Sequence, residues 1–284
     1  MASKNVLVTG ASTGIGEACA LHLDRLGWRV FAGVRRDEDG ARLKAQAPAG
    51  SQLTPVRIDV TDEAQVITAL DTIRTAVGAE GLSGLVNNAG VARGGPIEFL
   101  PLDEWRDQFE VNIIGQIAVT KAALALIRPV KGRVVFIGSI SGRVSPPMVA
   151  PYSASKHAIE ALGAALRDEL LPWGIKVAVV EPGVIKTPIW AKGRERVDEF
   201  EQLFGAEALG LYRSHIDTIR TSIDKSERRG VPAAKVADAV EHALTSDRPR
   251  HRYLVGPDAK LAGNLARVVP DRLWARLSRR LLSL

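Results

Sequence analysis

Short runs of consecutive apolar residues alternate with longer amphipathic stretches from the N-terminus to about Gly256. The runs at Val6–Thr9, Arg29–Val34, Leu53–Asp59, Leu85–Asn87, Arg133–Gly138, Lys176–Glu181 and Tyr253–Val255 are mostly rich in Val and Ile and do not turn polar at alternate positions. That pattern predicts strands covered on both faces, since a strand with one wet face would alternate. Helical periodicity fills the gaps, at Gly14–Leu26, Asp62–Val77, Asp103–Ile127 and Ser153–Leu171. Regular strand–helix alternation implies an α/β fold built on a doubly wound parallel sheet. No repeat, low-complexity tract or linker interrupts it, so residues 1–284 are expected to form a single domain. Between Thr187 and Val231 the sequence turns polar and helical, and 188–231 is expected to be a flap inserted between the last two strands. Residues 261–284 predict an amphipathic helical segment interrupted at Pro270.

Composition adds limits. Of 284 residues, 46% are hydrophobic and 25% charged, enough apolar material for a sizeable core. The single cysteine, Cys19, excludes an intramolecular disulfide or a cysteine zinc site, and five scattered histidines lack ligand spacing, so no metal is expected. The net charge of +6 is concentrated in the tail, where Arg267, Arg272, Arg276, Arg279 and Arg280 face only Asp271. No nucleic-acid reader motif accompanies that charge, and no nucleic-acid partner is expected. Leu273, Trp274, Leu277 and Leu281 fall near one helical face, expected to pack on the domain itself or on a second subunit, with contact to an anionic membrane surface as the alternative. The N-terminus lacks a secretory pattern, and no uninterrupted apolar run approaches the ~20 residues that span a bilayer, so a cytoplasmic protein is expected.

The segment VLVTGASTGIG sets a strand, then Gly10, Gly14 and Gly16, then a helix. Glycines at such a turn allow the backbone to approach a phosphate, and the helix supplies free N–H groups and the positive end of its dipole. Gly10, Ser12, Thr13, Gly14, Ile15 and Gly16 therefore form the candidate phosphate loop of a Rossmann-type nucleotide site. The spacing is Gly-x-x-x-Gly-x-Gly, and further motifs follow in order: Asp59–Val60, NNAG at Asn87–Gly90, Asn112 in EVNIIG, Ser139, YSASK at Tyr152–Lys156, and Pro182–Gly183. With these the chain resembles the short-chain dehydrogenase/reductase family over roughly its first two-thirds, and most closely its hydroxysteroid and retinol dehydrogenase-like members. The resemblance implies that Asp59 meets the adenine amino group, that Val60 meets the ring face, and that Asn87, Asn88, Ala89 and Gly90 border the adenosine ribose. It also implies that Pro182, Gly183, Val184, Ile185 and Thr187 line the carboxamide and pyrophosphate end.

The second strand ends FAGVRR, with Val34 where an acidic residue would select NAD, followed by Arg35 and Arg36. A guanidinium pairs with a 2′-phosphate and no carboxylate repels it, so the expected cofactor is NADP(H), with NAD(H) as the alternative.

Tyr152 and Lys156 lie four apart in a segment that opens a helix, one turn above the other on a shared face. A free tyrosine has a pKa near 10. A neighbouring ammonium together with the nicotinamide charge would favour the phenolate, making Tyr152 the candidate acid–base. Ser139 follows the strand RVVFIG at the carboxyl edge of the sheet, placed to hydrogen-bond a substrate oxygen. Asn112 sits in a helical stretch where Asn is unfavourable; it is either a buried amide bonded to backbone or, as the resemblance suggests, the holder of a water that relays protons from Lys156. Besides Ser139 and Tyr152, the substrate wall is expected from Pro146, Pro147, Met148 and Trp190, apolar and without fixed charge. The expected activity is hydride transfer between NADP(H) and a lipophilic carbonyl or alcohol. The resemblance further implies a homodimer or homotetramer. A non-catalytic NADP(H)-binding regulator is the competing reading.

Overall fold

A computed structural model describes residues 4–270, 272 and 273. Seven strands form one sheet: β1 (Asn5–Val8), β2 (Arg29–Val34), β3 (Thr54–Arg57), β4 (Gly84–Asn87), β5 (Arg133–Ile137), β6 (Lys176–Pro182) and β9 (Arg252–Val255). Their spatial order is β3-β2-β1-β4-β5-β6-β9, with every pairing parallel. Side chains of successive residues leave opposite faces, so Val6 and Val8 join one buried layer and Leu7 the other. On the first face lie α1 (Gly14–Arg25) and α9 (Ala234–Thr245), contributing Leu23 and Val240 among others. Helices α3 (Glu63–Val77), α5 (Gly115–Ile127) and α6 (Ala150–Leu170) cover the second with Ile73, Ala123 and Ile159. The strand order reverses between β1 and β4, which opens a crevice at the carboxyl ends of these strands where ligands bind in such sheets.

The helix expected over Asp103–Ile127 is broken. It runs as α4 (Leu102–Phe109), a π turn over Glu110–Ile114, then α5. That turn carries the buried Asn112, and inserted π turns of this kind collect at functional sites. The stretch Leu102–Ile127 is long and apolar enough by composition to cross a membrane, with a mean hydropathy of 1.4, yet Val119, Ala123 and Ile127 belong to the core of the domain. Helix α2 (Asp37–Ala45) starts with three acidic residues and ends with Arg42 and Lys44, matching the helix dipole. The α6 helix starts earlier than Ser153 because Pro151 suits a first helical turn.

Residues 188–231 emerge from the short strand β7 (Ile185–Lys186) and return through β8 (Val231–Pro232), which pairs with it. They form α7 (Ile189–Asp198) and α8 (Phe200–Arg229), the latter kinked at Gly205, whose φ is 84°. Phe200, Ala208 and Ile216 build a small separate core around Met148. Helix α10 (Pro257–Val268) stops before Pro270; the rest of the expected amphipathic tail, from Trp274 on, lies outside the described residues.

Candidate active site

The turn after β1 depends on Gly10 and Gly14, both at φ of 62°. Gly16 is required for a different reason, since a Cβ there would lie 2.2 Å from the Gly10 carbonyl oxygen and 2.4 Å from the Asn88 amide nitrogen. Four hydrogen bonds tie the loop to Asn88 and Ala89, just past the end of β4. Thr9 Oγ1 accepts from the backbone N–H groups of Asn88 and Ala89 at 3.0 and 3.1 Å. The Asn88 amide donates back to the carbonyls of Thr9 and Gly10 at 2.9 and 3.0 Å. Sequence reasoning missed Thr9, because a threonine ending a strand carries no signal of a partner 79 residues away.

This clamp shows what the amides of NNAG do within the protein. The Asn88 amide is spent on the glycine loop, and Asn87 is fully buried with its amide donating to Thr120 Oγ1 at 2.8 Å. The amide N–H groups of Asn87 and Asn88 are committed to the protein, whereas the buried Asn87 Oδ1 has no partner among the described residues, and Gly90 is the one of the four exposed at the rim.

Beside the loop, a cleft of about 380 Å³ is lined by Ser12, Thr13, Arg35, Arg36, Asp39 and Lys192. Arg36 donates to Asp39 at 2.9 Å, and that contact holds the Asp39 carboxyl below its ordinary range and Arg36 above its own. Arg42 donates to the Ser12 carbonyl, bracing the loop from α2. Lys192 comes from α7 and adds a third cation that sequence separation concealed. Thr187 closes over the glycine loop, its methyl 3.3 Å from where a Gly14 Cβ would stand. Gly183 fits against Asp258, which accepts from Val184 N–H at 2.7 Å, and Pro182 is the last residue of β6. The Ile185 side chain, by contrast, is core and available only through its backbone. Asp59 accepts from Thr61 N–H and Oγ1 at 3.1 and 2.8 Å, and Val60 packs over Gly115 at the start of α5. Ser12, Ile15 and Ala89 lie half-buried around the same turn.

Ser139 directly follows Gly138 at the carboxyl end of β5, and its Oγ accepts from Ser141 N–H at 3.1 Å. The Tyr152 hydroxyl on α6 comes close enough to Ser139 for that side chain to oppose the effect of burial on the phenol. Lys156, one turn on and 5% exposed, sets its ammonium 5.7 Å from the Tyr152 ring centre and donates to the Ile137 carbonyl at 2.7 Å. The three side chains predicted to act together are thus brought together at one edge of the sheet. Their charges are not arranged as expected. Burial raises the Tyr152 phenol, opposed by Ser139, and burial pushes the Lys156 ammonium down to about 8 against the pull of Glu160. The protein alone does not lower the tyrosine; the ammonium is held by a carbonyl and is itself depressed.

Asn112 is the buried amide of the first alternative. Its Oδ1 accepts from Val91 N–H at 2.8 Å, while Nδ2 donates to the Val91 carbonyl and to Ser155 Oγ, both at 3.1 Å. Both protons of that amide are used, so any relay water held at Asn112 would have to be bound through its backbone. Ser155 Oγ donates in turn to the Tyr152 carbonyl at 2.7 Å, so Asn112 joins the loop after β4 to the helix that carries Tyr152.

The expected substrate wall is divided. Met148 is 7% exposed and packs under the flap, with a strained φ of 68° that its carbonyl helps to hold by accepting from Gly95 N–H at 2.8 Å. Trp190 is half-buried, its indole N–H donating to the Ile185 carbonyl at 2.7 Å, whereas Pro146 is half-buried and Pro147 exposed. Sequence reasoning missed Phe204, which would contact any side chain at Gly95, and Arg196, which pins the flap by donating to the Gly94 carbonyl at 2.9 Å.

Residues 4–198 match the family model described as short chain dehydrogenase. The chain is 36% identical to an NADPH-dependent 3-dehydrocapnine reductase of Ornithobacterium rhinotracheale over 96% of its own length and 95% of that protein's. It is 35% identical to retinol dehydrogenase 16 of Mus musculus, covering 91% and 82% of the two chains. Among solved structures it is similar to a short chain dehydrogenase from Burkholderia cenocepacia in complex with NADP, with a TM-score of 0.73, 26% identity, and 97% of both chains covered. The chain belongs to the short-chain dehydrogenase/reductase family.

Proposed function

We infer that the protein is an NADP(H)-dependent oxidoreductase that interconverts a carbonyl and an alcohol. The observation that carries this reading is the Ser139–Tyr152–Lys156 cluster, set on the same sheet edge as the glycine loop. The residues present fit a phosphorylated dinucleotide. The loop tolerates no side chain at Gly10 or Gly16, α1 presents its amide end, and Arg35, Arg36 and Lys192 line the adjoining cleft with Asp39 as the one carboxylate. When bound, the nicotinamide supplies or accepts the hydride.

The chain's own residues handle the oxygen and its proton. Ser139 holds the substrate oxygen by hydrogen bonding, and Tyr152 donates a proton to that oxygen in reduction or removes it in oxidation. Lys156 places a cation beside the phenol ring and lowers the cost of the phenolate. Asn112 and Ser155 fix the backbone of Tyr152 against the loop after β4.

The substrate is a lipophilic carbonyl or alcohol. Support comes from the apolar side chains of Met148, Phe204 and Trp190 gathered around the flap, and from the reductase and retinol dehydrogenase among the relatives. We further propose a cytoplasmic homodimer or homotetramer. Exposed Leu102 and Ile114 near α4, and Leu171 and Trp173 after α6, give a partner an apolar face. The buried Cys19, its thiol pushed up to about 12, calls for no oxidising compartment.

Fluorescence titration with NADPH and NADH at fixed salt tests the cofactor assignment. Preference for NADPH, reduced at least tenfold by Arg35→Ala/Arg36→Ala while NADH binding is unchanged, is expected. Equal binding of the two cofactors by the unaltered protein would contradict it.

A further inference from the structure

A second basic concavity lies far from the glycine loop in the sheet order, between the edge strand β9, helix α10 and the turn after β5. Its volume is about 400 Å³, and its lining is Arg143, Arg250, Arg252, Lys260 and Arg267 with Leu254 and Asn264. Five cations converge there and no carboxylate reaches the lining. None of these residues belongs to the cofactor cleft or to the Ser139–Tyr152–Lys156 cluster.

The floor is built rather than accidental. Arg143 is held in a two-point pair by Glu181, which is fully buried, with one contact at 2.8 Å. Arg252 donates to the buried Glu160 at 2.7 Å and lies 3.7 Å from Glu181. Two guanidiniums are therefore locked in place from behind while facing the cavity. Gly263 lets α10 approach closely, since a Cβ there would stand 2.8 Å from Leu254. The remaining three cations, Arg250, Lys260 and Arg267, are exposed and form no ion pair among the described residues. Arg250, Lys260 and Arg267 thus add three positive charges beyond those balanced by Glu160 and Glu181, a Coulomb cost that a bound anion would recover.

We propose that this cavity binds a ligand bearing multiply charged phosphate. Arginine forks match phosphate oxygens two at a time, Lys260 adds a point charge, and Asn264 adds a neutral donor. The volume exceeds what a single phosphate fills and suits two or more linked phosphoryl groups. The three unpaired cations at its rim favour an anionic occupant over a second copy of the chain docked by the same edge. The sequence from 271 to 284 is no better suited, with Arg272, Arg276, Arg279 and Arg280 against Asp271. Edge strands do carry charges simply to block pairing with other sheets. That need is met by one or two exposed side chains and does not call for guanidiniums anchored on buried carboxylates.

The test is calorimetric titration of the full chain with sodium pyrophosphate at constant ionic strength, with NADP(H) at saturation so that the cofactor cleft is filled. Binding is expected, and Arg250→Ala/Arg267→Ala should weaken it at least tenfold while leaving turnover and thermal stability near those of the unaltered protein. Failure of the loaded enzyme to bind pyrophosphate, or equal binding by the variant, would overturn the proposal. With pyrophosphate binding established, flotation with phosphatidate vesicles but not with phosphatidylcholine, lost in the variant, assigns the phosphate to a lipid headgroup. Absence of flotation assigns it to a soluble ligand; either outcome keeps the site.

Discussion

The Lys156 ammonium lies 5.7 Å from the centre of the Tyr152 ring and donates at 2.7 Å to the Ile137 carbonyl, inside a pocket that leaves the lysine 5% exposed. The charge that assists Tyr152 is therefore held where charge is disfavoured, at the junction of β5 and α6. Burial pushes its pKa from 10.5 down to about 8.

A pH dependence follows from the sign of that shift. Below pH about 8 the ammonium is present, and above it the charge is lost. The kcat/KM for carbonyl reduction, which reports groups of the free enzyme, should fall as pH rises through this region. A profile flat from pH 7 to 10 would show that Lys156 titrates elsewhere.

The same shift is a cost to folding. A lysine whose folded pKa lies below its unfolded value destabilises the protein most below the folded pKa, and the penalty fades between about 8 and 10.5. Lys156→Met should therefore raise stability at pH 7 by about 2 kcal/mol, after allowing for the hydrogen bond lost to Ile137, while abolishing turnover. The gain should be gone before pH 10.5, where the lost hydrogen bond leaves the variant no more stable than the unaltered protein. Urea denaturation at both pH values measures it, and a loss of stability at pH 7 would refute the sign.

Gly16→Ala tests the closeness of α1 to the glycine loop. The new Cβ would stand 2.2 Å from a backbone oxygen that cannot rotate away. A cost of ~1–3 kcal/mol is expected from overpacking, together with loss of NADPH binding. Unaltered binding would mean that the loop is looser than described.

Thr9→Val removes an oxygen that accepts from two backbone N–H groups and retains the shape of the side chain. Leaving those donors unsatisfied should cost ~1–3 kcal/mol. Cofactor affinity should fall with it, because the Asn88 clamp on Gly10 shares this joint. Thermal unfolding and NADPH titration read the two effects separately.

The sheet was legible because its strands are buried on both faces, which leaves unbroken Val and Ile runs such as those of β1 and β6. The Ser139–Tyr152–Lys156 cluster was legible as ordered motifs, with Tyr152 and Lys156 also separated by one helical turn. The break in Asp103–Ile127 was not, because a π turn inserts one residue without altering the apolar composition around it. Asn87 and Asn88 show the opposite problem. Their motif marks the right place, but an amide that bonds a ligand and one that bonds a loop read identically in sequence. Thr9, Lys192, Phe204 and Arg196 were missed because each acts on residues far along the chain, at separations that carry no periodic signal. The charge states of Tyr152 and Lys156 depend on burial, which only the packed structure defines.

The most direct measurement compares the unaltered protein with Tyr152→Phe, following NADPH oxidation against a panel of lipophilic ketones and aldehydes, with NADPH affinity determined in parallel. The expected result is retained NADPH binding with turnover reduced by ~10²–10⁴-fold, the contribution of a positioned general acid. Near-normal turnover by Tyr152→Phe would contradict the assignment of Tyr152 as the group that moves the proton.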